Sequence, residues 1–121
     1  MVENFRSFQA RDPFDEIWRA SFLWLQTAIS IRHRDSVDVK FALDDGGQRS
    51  EKVIALMHPD LLELSRKTGR PITDPWCSRL AAQHLQHMIE TGEDMEKTLV
   101  TVRLEDLLAY CAGFIERTES S

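Results

Sequence analysis

The residues most capable of chemistry are four histidines and two cysteines. His84 and His87 stand three apart in a segment of helical periodicity, and Cys77 lies two helical turns before His84. Joined by His58 or His33 from elsewhere, this set has the ligand types of a zinc site. Only His84 and His87 have a useful spacing, however, and the chain holds neither a paired-cysteine knuckle nor a His-Glu-x-x-His helix. No cofactor is therefore expected, and Cys77, His84 and His58 stand as the metal ligands if there is one. Cys77 and Cys111 each fall at the centre of an apolar stripe, where burial raises a thiol's pKa and makes it inert. Asp38, Asp44 and Asp45 lie near a turn, where carboxylates are common. Gly46-Gly47 lacks the spacing and the Lys-Ser/Thr ending of a phosphate loop.

The triplet His58-Pro59-Asp60 resembles the J-domain signature with which co-chaperones engage Hsp70. In that family a strongly basic helix precedes the triplet and a lysine usually follows it. Here the preceding "QRSEKVIALM" carries Arg49 and Lys52, offset by Glu51, and Leu61 and Leu62 follow. The likeness stops at three residues. The triplet reads instead as a strand handing over to a helix: Pro59 in the first turn needs no N–H partner, and Asp60 and Glu63 favour the positive end of the helix dipole.

The elements that must position these groups follow from periodicity. Asp12-Pro13 has helix-start chemistry, and Phe14, Ile17, Trp18, Ser21, Leu25, Ala28 and Ile29 share a stripe at 3.6 spacing, so a helix is expected from Asp12 to about Ser30. Val37, Val39, Phe41 and Leu43 alternate with Asp38, Lys40 and Ala42 as a strand with one wet face. "DDGG" turns the chain into a second strand within Glu51 to Met57. A short helix should run from Pro59 to Thr68 and stop at Gly69, and a longer one from Asp74 to about Thr91 and stop at Gly92. Glu96 to Arg103 reads as a third strand, and Leu104, Leu107, Leu108, Cys111 and Ile115 as the stripe of a last helix. The expected fold is α+β: a small three-stranded sheet covered by about four helices, in the order α-β-β-α-α-β-α. It forms one domain, 1–121, with an N-terminal arm over 1–11 and a frayed tail over 118–121.

With 42% hydrophobic residues and a net charge of -5, the composition is ordinary globular usage, and the acidic balance opposes non-specific attraction to nucleic acid or anionic lipid. Nucleic-acid binding would need Arg32 and Arg34 to meet Arg66, Lys67 and Arg70 on one face. No run approaches the length of a membrane span and no leader precedes the first element, so a cytoplasmic protein is expected. The aromatic residues carry the strongest signal. Phe5, Phe8, Phe14, Trp18, Phe22 and Trp24 crowd into twenty residues of a chain with six Phe, three Trp and one Tyr. One small sheet cannot bury them all, so Phe5, Phe8, Phe22 and Trp24 are assigned to an interface. The function expected is that of a small acidic binding protein, an adaptor, regulator or inhibitor that contacts a protein partner or itself as a homodimer. A small enzyme or metal-binding protein using His84, His87, His58 or Cys77 is the alternative.

Overall fold

The computed structural model describes residues 6–29 and 35–119. Its elements are β1 (Ser7–Arg11), β2 (Ile17–Ile29), β3 (Asp35–Asp44), β4 (Arg49–Met57), α1 (His58–Thr68), α2 (Asp74–Thr91), β5 (Leu99–Thr101) and α3 (Leu104–Glu119). The sheet is five-stranded in the order β1-β2-β3-β4-β5. The first four strands form an antiparallel meander, and β5 adds parallel to β4. The expectation of a three-stranded sheet with four helices is thereby corrected to a five-stranded mixed sheet with three helices, in the order β-β-β-β-α-α-β-α.

The whole difference lies in residues 7–29. Asp12 does not cap a helix. It organises the turn between β1 and β2, its carboxylate accepting from the backbone N–H groups of Phe14 and Glu16 (both 2.9 Å) and from the Trp18 indole (3.0 Å). Asp15 completes the reversal in a left-handed conformation (φ 70°). The side chain that satisfies a helix start satisfies a turn equally well. The helical stripe in β2 also has a physical origin. Phe22 pairs with Phe41 but Trp24 pairs with Lys40, so Leu23 is an extra residue, a β-bulge. Before it the inward residues are Trp18, Ala20 and Phe22; after it the inward set restarts at Leu25, opposite fully buried Val39. A strand that skips one residue puts Trp18, Phe22 and Leu25 on one face at spacings of four and three, which mimics an α-helix, whereas Ile17 and Ser21 of the expected stripe lie on the opposite face of β2.

From β3 onward the expected elements are found. Val37, Val39, Phe41 and Leu43 are buried on one face of β3, and Ile54 and Leu56 continue that face in β4. Phe41 is the centre of the core, with the rings of Phe8 and Phe22 edge-on to it at 6.2 and 6.1 Å. The strand expected over 96–103 is shorter, with only Leu99–Thr101 in the ladder. The α1 and α2 helices fill the crossover from β4 to β5, and all three helices lie on the Val39–Phe41 side of the sheet. Leu61, Leu64, Leu80, Leu85, Met88, Ile89 and Leu107 supply their fully buried residues. The α2 helix is capped by Thr73, whose hydroxyl accepts from Trp76 N–H, and ends at Gly92. A positive φ of 77° favours glycine there, and Pro13, from the β1–β2 turn, lies at ordinary van der Waals distance from where a side chain would begin. Gly69 ends α1 in the same left-handed way. Among the described residues no helix is long and apolar enough to cross a membrane.

Candidate functional site

With the helices on one side, the other face of the sheet is left without a covering element among the described residues. Its composition follows from register. Outward positions run in rows across the strands: Arg19, Asp44 and Arg49; then Ser21, Ala42 and Glu51; then Trp24, Lys40, Val53 and Leu99; then Gln26, Asp38, Ala55 and Thr101. The bulge at Leu23 is what turns Trp24 onto this face. Lys40 lies 5.6 Å from the centre of the Trp24 ring and bonds the Glu51 carboxylate at 3.0 Å. Asp38 accepts from the Ser36 hydroxyl at 3.0 Å. Large apolar side chains are left in water here: Leu99 at 59% exposure, Ile17 at 50% and Leu23 at 37%. At the turn end of the face Gln9, Ile17, Arg19, Asp44, Asp45 and Gly46 line a shallow depression of about 190 Å³. Asp45 shapes it by accepting from Gly47 and Gln48 N–H, the Gln48 bond first among the causes that hold its carboxyl below the usual range.

The groups expected to do chemistry are placed elsewhere and separately. His84 is buried, and its Nδ1 shares a 2.7 Å hydrogen bond with the hydroxyl of Tyr110 on α3. Burial lowers the imidazole pKa, against an opposing pull from Asp106, and raises that of Tyr110. His87 is half-exposed, 3.7 Å from Glu93. His58 opens α1 directly after β4, so the His-Pro-Asp triplet is a strand-to-helix junction. Both cysteines are free and buried. Desolvation, with Asp74 adding to it, pushes the Cys77 thiol up to about 11, and desolvation raises Cys111 as well. Among the described residues no three His, Cys, Asp or Glu side chains converge to hold a metal ion.

Of the aromatic residues assigned to an interface, Phe8 and Phe22 pack against Phe41 on the inner face, Trp24 is on the open face, and Phe5 lies outside the described residues. Arg32, His33 and Arg34 lie outside them too. Arg66 and Lys67 are exposed and share Glu63, at 2.5 and 3.8 Å; Arg70 follows the Gly69 cap.

Two residues that sequence reasoning passed over matter most. Lys52 is only 5% exposed, its ammonium donating to the carbonyls of Met95 (2.6 Å) and Lys97 (2.5 Å) in the segment that leads into β5. Burial lowers its pKa, with Glu96 opposing. The signal was available, because Lys52 has the same parity along β4 as inward Ile54 and Leu56. Tyr110, the partner of His84, gave no signal, since nothing local ties α3 to α2. Comparison of the chain with protein-family models, with curated proteins and with solved structures finds no match.

Proposed function

We propose that this protein acts by binding, through contacts of the open sheet face with the surface of a protein partner that offers apolar and charged groups together. The observation that carries the reading is the pairing on that face of water-exposed Leu99, Ile17 and Leu23 with a Trp24–Lys40–Glu51 cluster. Tryptophan anchors ringed by polar groups are where binding energy concentrates. A half-buried sheet face is stiff, so little conformational entropy is lost on docking. Two buried, unpaired thiols support a reducing compartment, the cytoplasm, as the place of action.

Photo-crosslinking in the cells that make the protein tests this. A photoreactive residue at Leu99 should give adducts of discrete mass, and one at exposed Glu90 on α2 should not. Val53→Glu should remove the Leu99 adducts. Equal adducts from both positions, or none from Leu99, would refute the reading.

A further inference from the structure

The charge pattern of the open face says more about its occupant. Asp38 and Lys40 are successive outward residues of β3, the central strand, with opposite charges two residues apart. A twofold axis crossing β3 at right angles between them, in the plane of contact, exchanges the two rows on which they stand. Lys40 of each copy then faces Asp38 of the other, twice over. The same operation lays Val53 over Ala55, Leu99 over Thr101 and Trp24 over Gln26. No like charges oppose each other in these two rows, and Ala55, which is small, leaves room for the opposing Val53. An isologous contact needs this self-complementarity, because whatever i presents to j, j must present to i.

We propose that the occupant of the open face is a second copy of this chain, stacked sheet to sheet about that axis; the inference rests on the binding reading above. Strands about 4.8 Å apart and outward rows about 6.7 Å apart make the face roughly 20 by 30 Å, so a stacked pair hides roughly 1,200 Å² in all. That clears the roughly 1,000 Å² below which contacts are rarely specific. Stacked sheets lie about 10 Å apart, a spacing that Lys40 and Asp38 span together. Glu51 already accompanies Lys40 within its own chain, at 3.0 Å, so the ammonium enters the contact with acid on both sides.

Sedimentation equilibrium of the full chain tests the inference by charge exchange. The wild type should be a dimer. Lys40→Asp and Asp38→Lys should each raise the dimer dissociation constant by roughly a hundredfold or more, since each sets like charges face to face on both sides of the axis. Mixing the two variants should restore a dimer, because the two outward carboxylates on β3 of the first variant then meet the two outward ammonium groups on β3 of the second. Leu99→Glu, which alters the apolar rim and no charge pair, should also give monomers with an unchanged circular dichroism spectrum. A monomeric wild type at roughly 100 μM, or a mixture no tighter than its components, overturns the inference. If discrete Leu99 adducts with other proteins then persist, only the second copy is refuted; if they are also missing, the binding reading goes with it.

Discussion

The bulge at Leu23 makes two single-residue deletions in β2 unequal. Removing Leu23 lets Trp24 follow Phe22 directly, and every pairing of β2 with β3 is kept: Phe22 with Phe41, Trp24 with Lys40, Leu25 with Val39. What is lost is one side chain already 37% exposed and a local distortion of the ladder. The cost should be below about 1 kcal/mol. Removing Ser21, two residues earlier, is different. The chain can keep both flanking registers only by consuming the bulge, which turns Phe22 outward and Leu23 inward. Phe22 then loses its edge-on contact with Phe41, worth roughly 1 kcal/mol, and a large ring enters water while a smaller side chain fills its place. The net loss should be roughly 2 kcal/mol. In a chain of this size that is a fall in thermal midpoint of about 8 °C, against at most about 4 °C for the Leu23 deletion. Thermal unfolding followed by far-ultraviolet circular dichroism measures both. A Leu23 deletion that lowers the midpoint as far as the Ser21 deletion would show that the bulge is not a register device.

Two further outcomes follow from buried ionisable groups. Lys52→Met removes the donor that the Met95 and Lys97 carbonyls share. It should cost roughly 1–3 kcal/mol and speed amide hydrogen exchange through Leu99–Thr101, while exchange in β2 and β3 changes only by the global loss; unaltered exchange in β5 would contradict the role given to Lys52. Burial lowers the His84 pKa, so below the ordinary value of 6.5 the unfolded chain takes up a proton that the native state resists. Stability should therefore fall as pH drops through 6.5, and His84→Gln should flatten that fall in urea midpoints taken between pH 7.5 and 5; equal slopes in the two proteins would refute this.

The half of the fold that was legible is the half in which one local rule acts alone. The β3–β4 hairpin was readable because its alternation is unbroken and its turn residues are glycines. The α1 and α2 helices were readable because a proline opens each, a left-handed glycine closes each, and an apolar stripe connects the two ends. In β1 and β2 two rules conflict. Asp12-Pro13 serves a turn as readily as a helix start, and the bulge gives strand residues a helical spacing, so local reasoning chose the wrong element from a correct observation. The partner of the edge strand was illegible for another reason: the β-branched residues of 96–103 mark a strand, but its parallel neighbour β4 lies more than forty residues away and nothing local names it. At the candidate site, Trp24 was singled out from the crowding of aromatic residues alone. The separation of Cys77, His84 and His58 depended on how the helices pack, and periodicity carries no information about that.

The parallel pairing of β5 also sets an order of assembly. Strands β1 to β4 are joined by only a few residues each, so their contacts close at little loop entropy, whereas the pairing of β5 closes a long crossover that contains α1 and α2. Until then the β4 edge presents unpaired N–H and C=O groups in "VIAL", the most apolar run of the sheet, and a neighbouring chain can add there as readily as β5 can. Once β5 is in place, Lys52 ties its approach to the core through the Met95 and Lys97 carbonyls. One buried lysine therefore helps keep closed the edge at which a neighbouring chain could add.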